Sequence, residues 1–238
     1  MTDQAHITSS FRPGTPVSRV GLFGGTFDPV HVGHLHMAEE IKKAFDLEKI
    51  IVIPAAAPPH KKWKTVSNPG DRLHMVRLCF EDKDGFQVSD VELQRNGLSF
   101  TIDTLNFFIS RHYGRIELMM MVGTDAFYEI HTWRRFDDIL SLVPLIVTMR
   151  PEPDTGNAVF PIERMGRYLK NHVACDYRWD EGKQAFYHDQ GQPIYLFKGA
   201  LWHVSSTDIR KRLHNKEDVT SMLSPKVYDY IVEKGLYS

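Results

Sequence analysis

Residues 24–34, which read GGTFDPVHVGH, combine a glycine-rich turn with two histidines three positions apart. A short apolar run precedes this segment and apolar residues at helical spacing follow it. The segment is therefore predicted to join the carboxyl end of a strand to the amino end of a helix. Backbone N–H groups without helical partners meet the positive end of the helix dipole at such a junction. The segment thus predicts a binding site for an anionic group such as a phosphate.

The two glycines and the two histidines suggest how a phosphate would be held. Gly24 and Gly25 carry no Cβ, so the backbone can come within hydrogen-bonding distance of a phosphate. The pattern is neither the dinucleotide fingerprint nor the P-loop of NTPases. His31 and His34 can offer two N–H donors to charge on phosphoryl oxygens. Ordinary histidines among the twelve of the chain are one alternative. Metal ligands are another, but an i, i+3 pair lacks a third ligand nearby.

A second anion site is predicted at residues 205–210, which read SSTDIR and begin a helix. Serine and threonine hydroxyls, the N–H groups of the helix end and the guanidinium of Arg210 can all bind phosphates. Plain N-capping beside a solvated arginine is an equal alternative.

Two further side chains are candidates for ligand binding. The ammonium of Lys61 can reach a phosphate or belong to a solvated basic run. Trp133 offers a flat stacking face, or it is a buried core residue.

Composition limits the classes of protein to which the chain can belong. Its 238 residues, 42% of them hydrophobic, suit one domain with or without an insertion. A net charge of −1 gives no overall field for a nucleic-acid polymer. Cys79 and Cys175 are far apart, which argues against a disulfide framework or a structural zinc. No membrane-spanning or signal segment is recognisable, so a cytoplasmic protein is predicted.

The order of the predicted elements gives the fold class. Strands and helices alternate along most of the chain, which predicts a doubly wound, mostly parallel, Rossmann-like α/β sheet. Residues 1–18 are interpreted as a flexible leader, and residues 19–238 as a single domain. Residues 151–200 break the alternation, with one helical piece and two weak strands, and are interpreted as an insertion. Residues 225–234 are predicted to form a closing helix at a helical C-terminal end.

Two motifs together resemble a known superfamily of nucleotidyltransferases. The first is the H-x-G-H element at residues 31–34, and the second is the S-[ST]-x-x-[IV]-R signature at residues 205–210. Within that superfamily the chain resembles the bacterial nicotinate-nucleotide adenylyltransferases. Further matches lie at residues 24–29, 58–61, 99–105, 123–125, 133 and 235–237.

The resemblance implies an activity and a role for each motif residue. The implied reaction moves AMP from ATP to nicotinate mononucleotide, giving deamido-NAD and pyrophosphate, with Mg²⁺ accompanying ATP and no protein metal ligand assigned. The acceptor phosphate would attack the α-phosphorus directly, without a side-chain nucleophile. The roles implied are catalysis for His31, His34 and Arg210; ATP binding for Gly24, Gly25, Thr26, Phe27, Lys61, Gly123, Asp125, Ser206 and Thr207; and acceptor binding for Thr101 and Trp133.

The motifs define the nucleotide chemistry more sharply than the acceptor. Nicotinamide mononucleotide differs from the nicotinate compound only in an amide, so it is the nearest alternative acceptor. Phosphopantetheine comes next, followed by a nucleotide sensor that has lost turnover. The expected partners are ATP and a pyridine mononucleotide, with no nucleic-acid polymer and no membrane. The sequence leaves open whether the chain forms a homo-oligomer.

Overall fold

The structure is a computed structural model that describes residues 18–57, 66–95, 97–112, 116–149, 161–174, 176–200 and 203–238. The predicted leader therefore lies outside the described residues, except for Ser18, and so do Lys61 and Cys175. In the described part of the chain, no helix has both the length and the apolar character needed to cross a membrane.

Strands and helices alternate along the described residues. The strands are β1 Ser18–Gly25, β2 Lys49–Pro54, β3 Phe86–Val88, β4 Ile116–Gly123, β5 Leu145–Thr148, β6 Arg178–Asp180, β7 Ala185–Tyr187 and β8 Ile194–Phe197. The helices are α1 Val32–Ala44, α2 Pro69–Phe80, α3 Thr101–His112, α4 Thr124–Phe127, α5 Phe136–Leu142, α6 Pro161–His172, α7 Ser206–His214 and α8 Pro225–Lys234.

The chain divides into two compact units. The first, which we call the loop unit, comprises residues 22–40, 49–100 and 200–238. In it, β2 lies between β3 and the end of β1. β2 pairs in parallel with β3, with Ile50 opposite Phe86. The apolar run of β2 is buried from Ile50 onward, as expected of a parallel strand covered on both faces. Helix α2 packs against β2, β3 and α8.

The second unit, which we call the insertion unit, comprises residues 1–21, 41–48 and 101–199. Its strands lie in the order β4-β5-β8-β7-β6. β5 pairs in parallel with both β4 and β8, whereas β7 runs antiparallel to β6 and β8. The core of β4 is a continuous run of buried residues from Leu118 to Val122. Such a run is typical of a central parallel strand.

The predicted mostly parallel α/β class is confirmed, and one local expectation changes. The sequence of residues 86–93 predicts one strand, but the strand ends at Val88 and residues 91–94 form a turn. The last strand of residues 151–200, β8, rejoins the sheet parallel to β5, whereas the β6–β7 hairpin runs antiparallel. The interpretation of residues 151–200 as an insertion stays a prediction. The single domain over residues 19–238 stays a prediction.

Candidate active site

Gly24 and Gly25, predicted to form a turn, are the last two residues of β1, and the segment that connects them to α1 contains a buried aromatic residue. Phe27 is 3% exposed and adopts a left-handed backbone conformation with φ 50°. Its ring meets Phe23 edge to face at 5.2 Å and His34 at 5.1 Å. A Cβ on Gly25 would lie 2.8 Å from the ring carbon Cζ of Phe27, whereas one on Gly24 would meet no described atom within 4 Å. Gly25 therefore makes room for Phe27, and Gly24 keeps the backbone open to a ligand.

The two histidines of the H-x-G-H element are held by each other's backbone. The N–H of His31 donates to Nδ1 of His34 at 3.2 Å, and the N–H of His34 donates to Nδ1 of His31 at 3.3 Å. Their rings stack with centroids 3.6 Å apart. Because each Nδ1 accepts a hydrogen bond, the proton of each neutral ring lies on Nε2. The fold thus selects the same tautomer for both rings, with Nε2 as the donor.

Helix α7 is bound to the same loop. The hydroxyl of Ser206 donates to the carbonyl of Pro29 at 2.9 Å, and Nη1 of Arg210 donates to the carbonyl of Asp28 at 2.6 Å. Nη2 of Arg210 lies 3.4 Å from the hydroxyl of Thr207, which is exposed at the start of the helix. The two anion sites predicted separately from the sequence are therefore joined by hydrogen bonds within the loop unit.

A fully buried arginine on α2 organises the backbone around this loop. Arg72 is 0% exposed. Its guanidinium donates to four main-chain carbonyls at 2.6–3.0 Å, those of Thr26, Ala55, Ala56 and Ser67. Burial lowers the pKa of Arg72, while the nearby charge of Asp28 acts in the opposite direction. The hydrogen bonds satisfy the buried cation and fix the glycine turn relative to the end of β2.

Arg72 belongs to none of the motifs in the sequence, although its position in α2 carries a signal for its role. Arg72 occupies the helical face of α2 that also carries Met75, Val76 and Phe80, all of which are buried. A charged residue within an apolar stripe of helical spacing is rarely buried without partners. Such a position indicates an arginine whose guanidinium forms hydrogen bonds inside the protein rather than with the solvent.

Gly123 and Asp125 lie in the insertion unit, where a parallel strand ends. Gly123 is the last residue of β4 and the N-cap of α4, and Asp125 is exposed in that short helix. The hydroxyl of Thr124 donates to the carbonyl of Thr148 at 2.7 Å, which ties the beginning of α4 to the end of β5. Ligands of open parallel sheets bind at the carboxyl ends of strands, so these residues occupy a suitable place.

The two residues predicted to bind the acceptor also belong to the insertion unit. Thr101 is the first residue of α3, and Trp133 follows a short 3-10 turn over residues 130–132. An ion pair of 4.0 Å between Asp103 and Arg134 links the segments that carry them. Trp133 is half-buried, so a core role and a stacking role are both compatible with its placement.

Comparison with known proteins identifies the family. A model described as cytidylyltransferase-like matches residues 22–212, most of the chain. A protein of Desulfitobacterium hafniense (strain Y51), named probable nicotinate-nucleotide adenylyltransferase, is 38% identical over 223 residues, which cover 93% of this chain and 97% of the relative. This chain belongs to the nicotinate-nucleotide adenylyltransferases of the cytidylyltransferase-like family. The family expected from the two motifs is thereby confirmed.

A further relative carries the same name, and a solved structure shares the fold. A protein of Desulfatibacillum aliphaticivorans with the same name is 36% identical and covers 92% of this chain, with 99% of its own length matched. Among solved structures, the Plasmodium falciparum nicotinic acid mononucleotide adenylyltransferase complexed with NaAD has a TM-score of 0.67. Its sequence identity is 18%, and the match covers 92% of this chain and 97% of the other. At that identity the likeness supports the adenylyltransferase fold.

Proposed function

We propose that this adenylyltransferase moves AMP from ATP to nicotinate mononucleotide, forming deamido-NAD and pyrophosphate in NAD biosynthesis. The observation that carries the proposal is the reciprocal hydrogen-bonded pair of His31 and His34, in a loop bound directly to Arg210. Two imidazoles of the same tautomer beside a guanidinium form a set of donors suited to a chain of phosphates.

The reaction needs no covalent intermediate with the protein. An oxygen of the mononucleotide phosphate attacks the α-phosphorus of ATP and forms the new P–O bond. The bond from the α-phosphorus to the bridging oxygen breaks, and pyrophosphate leaves with its electron pair. The protein accelerates this step by positioning the two phosphates and by stabilising the charge on the α-phosphoryl oxygens. We assign this stabilisation to His31 and His34, with His34 as the principal donor.

The rest of the ATP molecule would lie along the carboxyl ends of the strands and at α7. Arg210 and the amino end of α7 would bind the β- and γ-phosphates, because cationic and N–H donors meet there. Phe27 would take part through its backbone, since its ring is buried against His34. The full set we propose for ATP is Gly24, Gly25, Thr26, Phe27, Lys61, Gly123, Asp125, Ser206 and Thr207.

We propose that the magnesium ion arrives with ATP and is held by the phosphates of ATP. Among the described residues, no group of three or more His, Cys, Asp or Glu side chains is arranged to hold a metal. The carboxylate oxygens of Asp28 accept hydrogen bonds from Tyr237 and from the N–H of Ser67. Mg²⁺ commonly keeps several waters and binds through substrate phosphates. Bound in that way, the ion would neutralise part of the phosphate charge.

The acceptor would be recognised in the insertion unit. We propose that Trp133 stacks on the pyridine ring and that Thr101 hydrogen-bonds near the carboxylate, since both lie in segments joined by the Asp103–Arg134 ion pair. The cytoplasmic location and the oligomeric state stay predictions.

An acceptor panel tests the proposed function. The protein is incubated with Mg-ATP and, separately, with nicotinate mononucleotide, nicotinamide mononucleotide and phosphopantetheine, and pyrophosphate release is measured. We expect the highest kcat/KM with nicotinate mononucleotide. A higher kcat/KM with nicotinamide mononucleotide would show that this compound is the preferred acceptor. A higher kcat/KM with phosphopantetheine would contradict the roles of Thr101 and Trp133. No release with any acceptor would support a nucleotide sensor.

A further inference from the structure

Asp28 is the point at which three distant segments of the loop unit meet. Its side chain is 3% exposed. Oδ1 accepts a hydrogen bond from the hydroxyl of Tyr237 at 2.6 Å, and Oδ2 accepts one from the N–H of Ser67 at 3.3 Å. Its main-chain carbonyl accepts the 2.6 Å bond from Arg210. Asp28 therefore links the histidine loop to α7, to the segment before α2 and to the segment after α8.

The segment after α8 is shaped to bring Tyr237 to this position. Gly235 ends the helix in a left-handed conformation with φ 61°, and the N–H of Leu236 returns to the carbonyl of Ile231 at 3.0 Å. Tyr237 itself has φ 66°, which a residue with a side chain rarely adopts. Burial and the hydrogen bond to Asp28 raise the pKa of Tyr237. The hydroxyl therefore stays protonated and remains a donor at neutral pH.

Helix α8 is anchored to α2 independently of Asp28. The hydroxyl of Tyr230 donates to Oδ1 of Asp71 at 2.7 Å, and Lys226 pairs with Asp82. These contacts hold the helix through its body, so the bond from Tyr237 is not needed to keep α8 in place. The Tyr237 hydroxyl instead contacts the loop that carries the histidines.

We propose that Tyr237 is a positioning residue for adenylyl transfer, an inference that rests on the proposed function. Its hydroxyl fixes the Asp28 carboxylate. The fixed residue in turn sets the carbonyl that orients Arg210 and the path of the loop leading to His31. Tyr237 thereby acts through Asp28 on donors that must be in place before the transition state forms.

The substitution Tyr237→Phe tests the proposal, because it removes the hydroxyl and keeps the ring. We expect kcat to fall about tenfold or more while the KM for ATP stays within about threefold, because the lost interaction orients groups that act in the transition state. Tyr230→Phe is the matched control: it also removes a tyrosine–carboxylate bond, but at α2. We expect that variant to keep its kcat and to lose only stability, measured by urea unfolding.

Two outcomes would overturn the proposal. One is a Tyr237→Phe enzyme whose kcat lies within about twofold of the wild type. The other is an equal loss of kcat in both tyrosine variants, which would show a general loosening of α8. Each variant is compared with the wild type using the acceptor that gives the highest rate, so this ratio is independent of which acceptor the enzyme prefers.

A double-substitution cycle with Asp28→Asn gives a second, independent measurement. The NH₂ group of the asparagine would face the N–H of Ser67 or the hydroxyl of Tyr237, both of which donate to Asp28. The substitution therefore disturbs the same hydrogen bonds while it keeps the size of the side chain. If Tyr237 acts through Asp28, the double variant should lose no more kcat than the more damaging single variant. Losses that multiply would show two independent effects and would contradict the proposal.

Discussion

The loop unit and the insertion unit hold their candidate residues by different means. In the loop unit, hydrogen bonds of 2.6–3.0 Å from Arg72, Ser206 and Arg210 end on main-chain carbonyls. In the insertion unit, the segments carrying Thr101 and Trp133 are linked by an ion pair of 4.0 Å whose side chains are 45% and 57% exposed. Exposed pairs contribute little free energy. The backbone of the proposed phosphate site is thus held firmly, whereas the proposed acceptor site depends on individual side chains.

The largest effect is expected from Arg72→Met, which keeps an apolar stem and removes all the guanidinium donors. Carbonyls left without partners in the interior should lower the free energy of unfolding by about 3 kcal/mol or more. Arg77→Ala, on the same helix, is the control because Arg77 is 42% exposed and pairs with Glu81 at the surface. Its cost should stay below about 1 kcal/mol. Urea unfolding measures both, and equal costs would show that the bonds from Arg72 to the backbone hold the loop unit no more firmly than an exposed ion pair would.

His34→Ala should lower kcat by about 100-fold or more, as expected when one preorganised donor is lost from the transition state. The fold should persist, because the imidazole is not the main support of α1. His36→Ala is the control within the same helix, since His36 pairs with Glu39 at the surface. Pyrophosphate release is the measurement. Activity of His34→Ala within about threefold of the wild type would contradict the assigned role.

Trp133→Ala should raise the KM for nicotinate mononucleotide by about tenfold, the value of one stacking contact, with the KM for ATP nearly unchanged. The control is Trp179→Ala, which removes a tryptophan of the β6–β7 hairpin that packs on Phe186. A Trp133→Ala enzyme that loses stability but keeps its acceptor KM would show that Trp133 is a core residue. Initial rates at varied acceptor concentration decide between a stacking role and a core role for Trp133.

The smallest expected effect is a difference in stability between alanine variants of two N-cap serines in the loop unit. The hydroxyl of Ser205 accepts the N–H of Asp208 at 3.1 Å at the start of α7, so Ser205→Ala should cost about 1 kcal/mol. Ser224 occupies the same position on α8, but its buried hydroxyl has no hydrogen-bond partner among the residues that the structure describes. Ser224→Ala should therefore be neutral or stabilising. Urea unfolding of both variants shows whether α7 depends on its cap, and a reversed order would contradict the expectation.

Sequence reasoning predicted most elements of the fold because their signals are local. The apolar run before residue 24 predicted β1, the apolar spacing after residue 34 predicted α1, and residues 225–234 were predicted as the closing helix, which is α8. The sequence did not show how the sheet ends. β8 is a four-residue apolar strand, and nothing in so short a run shows that it pairs in parallel with β5. The strand expected from residue 86 was too long for a similar reason, since residues 91–94 are apolar enough for a strand but form a turn.

The sequence by itself determined the family, the histidine pair and the helix start at Ser206, because each depends on residue types at short spacing. Only the tertiary structure showed that Arg72 and Tyr237 contact the loop that leads to His31. Tyr237 meets Asp28 across 209 positions of the chain, and Arg72 donates to backbone carbonyls. Every residue has a main-chain carbonyl, so the sequence does not show which residues accept the hydrogen bonds of Arg72. Only the folded structure shows which carbonyls a side chain reaches.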